Sequence, residues 1–223
     1  MGAWAKFPTV WIQNDVLSEF QWRDVKGDGT AAFLVLIALA IKLNRDKMEK
    51  GVDKTSPVVS ATYDQIQNLM AISRSKVAKG LALLLKHKII ERADGQSLYK
   101  LTGVDTRGGW AMMPQEYLMA HKRITTFEAF KLRSMSEFDA LKLYFLMLSL
   151  RHNQSGFAHV GYTAMTERTG VPRERIKRAK SHLISLELIH AESYEELSSA
   201  EGRPSMRYKI NGLYKNVGEG ASG

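Results

Sequence analysis

The stretch from Tyr63 to Glu91, YDQIQNLMAISRSKVAKGLALLLKHKIIE, returns without a gap from Tyr162 to His190 as YTAMTERTGVPRERIKRAKSHLISLELIH. Apolar or small residues fall in register: Ile66 with Met165, Ala71 with Gly170, Val77 with Ile176, Gly80 with Ala179, Leu84 with Leu183, and Ile89-Ile90 with Leu188-Ile189. An internal repeat on this scale outranks any local signal, because each element predicted for one copy must be possible in the other. With 223 residues and 44% hydrophobic content, it favours two small folded units over one large one.

The repeat extends beyond the matched stretch. Residues 4 to 24 read as an extended lead-in and a short helix, and WIQNDVL corresponds loosely to MMPQEYL when Trp11-Ile12 is set over Met112-Met113. Lys26 to Thr30 supplies turn residues and capping side chains before an apolar run, which predicts a helix to about Met48. Its apolar residues are nearly continuous, so burial on most sides is expected. In the second half Ser136-Glu137-Phe138-Asp139 caps the matching helix, ALKLYFLMLSLRHN. Val58-Val59 and Phe157 to Val160 then read as short strands, with Ser60 or Thr62 capping the next helix in one copy and Thr163 in the other. Beyond the third helix, Ile89 to Arg92, the turn signal Asp94-Gly95 and Leu98 to Leu101 predict a two-stranded wing. The second copy repeats it as Leu188 to Tyr194 and Met206 to Ile210, around a loop about ten residues longer. Thr102 to Gly109 (TGVDTRGG) is rich in turn formers and reads as the linker. The units so defined are residues 1–105 and 106–217, followed by a flexible tail at 218–223, and the short linker implies that they touch.

Each copy places a helix, a three-residue turn and a second helix with a polar, basic start, as in a helix-turn-helix. The copies read Leu69 to Val77 (LMAISRSKV) and Arg168 to Ile176 (RTGVPRERI), with a capping Ser or a Pro before the second helix. On these residues nearly the whole chain resembles the winged-helix family of DNA-binding domains, in two tandem copies. The fold class that follows is mainly α with small β wings (α+β). The two-copy arrangement is similar to that of plasmid and phage replication initiators, although no initiator-specific motif is matched.

Helical spacing sorts each second helix into faces. Val77, Leu81, Leu84 and Leu85 point inward in the first, leaving Arg74, Ser75, Lys76 and Lys79 for DNA or solvent. Ile176, Ala179, Leu183 and Leu186 point inward in the second, leaving Arg173, Arg175, Lys177, Arg178 and Lys180. Arginine holds guanine bidentately in the major groove, whereas lysine more often serves phosphate. Arg74, Arg173 and Arg178 are therefore the expected base readers, with Lys76, Lys79, Arg175, Lys177 and Lys180 on the backbone. Arg92, Gln96 and Ser97 suit the first wing to phosphate or minor-groove contact. Glu192, Glu195, Glu196 and Glu201 make the second wing acidic apart from Arg203 and Arg207, which suits protein contact. His121-Lys122-Arg123, with Lys131 and Arg133, reads as a phosphate clamp or a solvated helix. The four tryptophans sit in the lead-ins, where packing is their expected use.

Composition narrows the function. A net charge of +9 and a pI near 9.6 favour a polyanionic partner. The absence of cysteine excludes disulfides, thiolate metal sites and a cysteine nucleophile, and fits a reducing cytoplasm. The longest apolar run, Ala31 to Ile41, is far short of the roughly 20 residues a membrane span needs. No GxxxxGK[ST] phosphate loop, dinucleotide fingerprint, metal-spaced histidine cluster or activated nucleophile is present. The expectation is a non-enzymatic, cofactor-free cytoplasmic protein that binds double-stranded DNA, as a replication initiator or a transcriptional regulator. Self-association or a replication or transcription partner accompanies that reading. The alternative is a protein-interaction module, such as a replisome loader or assembly scaffold.

Overall fold

A computed structural model describes residues 4–49, 53, 55–194 and 205–213. The chain runs through β1 (Ala5–Pro8), α1 (Val10–Gln13), α2 (Val16–Glu19), α3 (Trp22–Glu49), β2 (Val58–Ser60), α4 (Tyr63–Leu69), α5 (Arg74–Lys86), β3 (Ile90–Arg92) and β4 (Leu98–Leu101). It continues through β5 (Trp110–Met113), α6 (Gln115–Leu118), β6 (Met119–Ala120), β7 (Arg123–Ile124), α7 (Met135–Leu150), β8 (Phe157–His159), α8 (Tyr162–Thr169), α9 (Arg173–Ser185), β9 (Ile189–Tyr194) and β10 (Ser205–Ile210). The protein is α+β, with about half of the described residues helical and four small antiparallel sheets among them. No described helix is long and apolar enough to cross a membrane.

Both halves follow the same order, helix, strand, helix, helix, strand, strand, and their three-stranded sheets have the same strand order, β2-β4-β3 and β8-β10-β9. The register agrees residue by residue. Tyr99 in β4 lies between Val59 and Arg92, and Tyr208 in β10 lies between Ala158 and Ala191, which are the repeat partners of those two residues. Every in-register apolar pair except Ala71 and Gly170 is buried in both halves. That pair sits in the turn between helices, where Gly170 ends α8 with φ 66°, a left-handed conformation suited to glycine.

Local chemistry explains the helix ends and corrects two expected caps. The Thr62 hydroxyl accepts from the Gln65 amide at 3.2 Å while the Gln65 side chain accepts from the Thr62 amide at 3.0 Å, a reciprocal capping box that starts α4. Ser73 caps α5 by accepting from the Lys76 amide. In the second half the cap of α7 is Ser134, not the Ser136 to Asp139 stretch, which lies inside the helix. Glu137 instead accepts from the Lys131 and Leu132 amides of the preceding loop, each at 2.9 Å. Thr163 likewise lies within α8, whose cap position is Gly161, without a side-chain bond. The expected start of the first long helix at Lys26 to Thr30 matches a junction within α3: Lys26, with φ 44° and ψ −136°, separates a short helix beginning at Trp22 from the long one that follows.

The lead-ins are also in a different register from the one their sequences suggest. β1 pairs antiparallel with β5, Ala5 opposite Met113 and Pro8 opposite Trp110, so Trp11 lies in a helix while Met112 lies in a strand. Backbone pairing between the lead-ins, which no side-chain comparison reveals, makes them one two-stranded sheet joining the halves. The linker is held to it, since the Thr9 amide donates to the Gly109 carbonyl at 2.8 Å and Gln13 to the Gly108 carbonyl at 2.8 Å.

Buried residues of both halves form one contiguous core. At its centre α3 meets α7 through aromatic rings. Phe33 stacks on Phe138 at 5.3 Å, and Trp11 packs against Phe20, Phe33 and Phe145 at centroid distances of 6.0 to 6.2 Å. Within the first half α3 also lies against α5, so closely that a Cβ on Gly80 would stand 3.1 Å from the backbone of Ala31. Sandwiched between α5, β1 and α7, α3 is buried on all sides from Gly29 to Ile41, which is why its apolar residues are continuous and not striped.

Candidate nucleic-acid interface

α5 and α9 carry most of the basic candidates, and their shared positions allow direct comparison. Arg74 and Arg173 open the two helices and lie over the rings of Tyr63 and Tyr162, the first residues of α4 and α8, at 5.2 and 5.4 Å. Both arginines are exposed. Arg74 also pairs with Asp64 at 2.5 Å, whereas the corresponding residue beside Arg173 is Thr163.

Two positions further on, each helix has a tether. Lys76 reaches Asp28 of α3 at 2.6 Å, and Lys79 reaches the same carboxylate at 3.3 Å. Burial works against the Asp28 charge, but the two lysines outweigh it and hold its carboxyl below the usual range. Arg175, the repeat partner of Lys76, grips Asp139 of α7 through Nε at 3.0 Å and Nη2 at 3.2 Å. Asp139 is buried, and burial pushes its carboxyl upward against the opposing pull of Arg175 and Lys142.

Lys142 is the second buried charge of this cluster. Its Nζ donates to the carbonyl of Phe20 at 2.6 Å, linking α7 to the lead-in of the first half. Burial, only partly offset by Asp139, lowers its pKa to about 7. Lys180 is engaged as well: it donates to the Tyr208 hydroxyl at 3.1 Å and stands 4.5 Å over the Tyr162 ring. Burial disfavours the Lys180 charge, and the hydroxyls of Tyr208 and Tyr162 more than compensate, raising its pKa.

Arg173, Lys177 and Arg178 remain exposed on α9, with no acidic partner among the described residues. Arg178 borders a cavity of about 200 Å³ beside Ser134, Ser136 and Arg175, where α7 begins. Its repeat partner is Lys79, which shares Asp28 with Lys76. Ser75 is exposed at the start of α5. In the β3–β4 pair, the expected first wing, Arg92 is exposed and lies 5.9 Å over Tyr99. In the second, Glu192 pairs with Arg207 at 2.9 Å, and Arg207 also covers Phe157 at 4.1 Å. Glu195, Glu196, Glu201 and Arg203 lie outside the described residues.

The basic stretch around His121 is not a solvated helix. His121 and Lys122 form the turn of the β6–β7 hairpin, with φ 49° and 65°. The expected packing role of the tryptophans holds for Trp11, which is buried. The acids that decide which cations are engaged, Asp28, Asp64 and Asp139, were not among the sequence candidates. The Tyr–Arg partnership was visible as a spacing, since Tyr63–Arg74 and Tyr162–Arg173 are separated equally. No group of three or more metal-ligating side chains occurs among the described residues. Comparison with protein-family models, curated proteins and solved structures produced no match.

Proposed function

We propose that the chain is a pair of tandem winged-helix domains that binds double-stranded DNA sequence-specifically, with α9 as the principal reader and α5 as a weaker second contact. The observation that carries this reading is the contrast between matched positions. On α9 Arg173, Lys177 and Arg178 are exposed without acidic partners among the described residues, while on α5 Arg74 is paired with Asp64, and Lys76 and Lys79 share Asp28. Exposed arginines at the start of a helix in the major groove suit guanine, and Lys177 suits phosphate. α9 has no side-chain cap, so its first amides add to the attraction for a phosphate. Arg175 and Lys180 act as positioning residues, fixing α9 to α7 and to the β10 sheet. Arg92 and Ser75 remain secondary contacts in this reading.

The role served by such binding is replication initiation, as in plasmid- or phage-type initiators, or transcriptional regulation. Selection of bound sequences from a random duplex pool tests both steps. Recovery of a defined motif supports specific binding; repeated copies of it point to an origin, and one palindrome to an operator. Failure to enrich any sequence, with no binding to any duplex at low salt, would overturn the proposal. A second reading draws on the partly neutralised α5: the first unit serves a protein partner, as in a loader or scaffold, while the second holds DNA.

A further inference from the structure

At the other end of α3 from Asp28 lies a groove unrelated to the basic helices. Its wall is apolar: Ala40, Leu43 and Met48 from α3, and the indole of Trp4, which stacks on Trp110 with ring planes 8° apart. Lys6 from β1, and Lys47 and Asn44 from α3, complete it, and no acidic side chain is part of the lining among the described residues. The cavity measures about 390 Å³, within the range of roughly 300 to 1,000 Å³ common for small-molecule sites.

Three features give the groove a chemical preference. The Trp4–Trp110 stack makes one wall flat and rigid, because Trp110 is itself held in β5 and covered by Lys6 Nζ at 4.5 Å. Asn44 is fixed: its amide donates to Gln115 at 2.9 Å and to the Trp4 carbonyl at 3.3 Å, joining the groove to α6 and the lead-in. The two lysines bring like charges together. Burial first, and then repulsion from Lys6, lower the pKa of Lys47 although Asp53 and Asp105 act in the opposite direction. An anion at this position would relieve the repulsion.

We infer that the groove between Trp4 and Lys47 binds a small apolar acid, with a flat hydrocarbon or aromatic body against Trp4, Leu43 and Met48 and a carboxylate or phosphate between Lys6 and Lys47. The site is independent of the DNA reading. Nineteen helical steps lead from Asp28 to Lys47, roughly 28 Å along α3 at 1.5 Å per step, so ligand and DNA do not compete for the same surface.

Ligand-detected NMR on the full chain tests the assignment, with 2-naphthoate as the probe and its neutral amide as the control. Saturable binding of 2-naphthoate, with the amide weaker by about tenfold, is the expected result, the scale of one charge-assisted hydrogen bond. Lys6→Gln and Lys47→Gln should each weaken the acid severalfold and leave the amide unchanged. Met48→Glu, at an exposed helical position, should remove acid binding while the far-ultraviolet circular dichroism stays that of the parent. Equal binding of acid and amide, or binding unaffected by all three substitutions, would overturn the inference. Tighter binding of the peptide acetyl-Gly-Gly-Phe than of 2-naphthoate would also overturn it, by assigning the groove to a peptide carboxy terminus.

Discussion

Arg178 and Lys79 stand at the same step of α9 and α5, yet among the described residues only Lys79 is paired with a carboxylate. The difference follows from Asp28, which lies at the start of α3 and draws in two lysines at once. Arg173→Ala and Arg178→Ala should each cost about 1 to 3 kcal/mol of discrimination between the preferred duplex and a single-base variant, measured by competition binding. Lys177→Ala should weaken all duplexes alike. Equal effects on all sequences for the three substitutions would refute the division between base and backbone contacts. Lys142 offers a residue-level test of the fold. Its pKa is lowered to about 7 in the folded protein from 10.5, so between those values the unfolded chain binds more protons and stability rises with pH. Below about pH 7 the residue is charged in both states and the slope vanishes. Denaturant titrations from pH 7 to 9 should show a rise of at most about 1.4 kcal/mol per pH unit in the parent, and a flatter profile in Lys142→Met. Identical slopes would place the Lys142 ammonium in a more solvated setting than its contact with the Phe20 carbonyl implies.

At the scale of elements, the helices and short strand pairs were legible because their signals are local. Helical spacing sorted Val77, Leu81 and Leu84 from Arg74 and Ser75, and the repeat supplied an independent second instance. The sheet register followed once a longer second loop was allowed, as Tyr99 and Tyr208 show. Lead-in pairing was not legible, since strand partnership between Ala5 and Met113 depends on backbone bonds across more than a hundred residues. Nor were the tethers, because Lys76–Asp28 and Arg175–Asp139 join residues whose proximity depends on helix packing. Charge counted along α5 therefore overstates what the helix presents to a partner. Asp28→Asn should free Lys76 and Lys79, tighten duplex binding severalfold and steepen its salt dependence by one to two charges, as read by anisotropy titration. Unchanged binding would show that these lysines cannot reach DNA even when released.

On the scale of the whole molecule, repetition describes the units and does not describe their stability. α3 and α7 pack through Phe33 and Phe138, β1 and β5 share a sheet, and Lys142 reaches the carbonyl of Phe20. With a continuous core, calorimetry should show one transition whose van't Hoff and calorimetric enthalpies agree. Two resolved transitions would mean that each half is stable without the other. The same junction fixes how the two basic helices are displayed, so it links the fold to the central claim of DNA binding led by α9. The most direct test is the affinity of the full chain for its selected duplex between about 50 and 200 mM salt. Log affinity should fall linearly with log salt, and replacing Arg173, Lys177 and Arg178 together by alanine should weaken binding and remove at least about one charge from the slope, through Lys177, more than replacing Arg74, Lys76 and Lys79 does. Affinity that is absent at low salt, or insensitive to salt and to the α9 substitutions, would contradict the account.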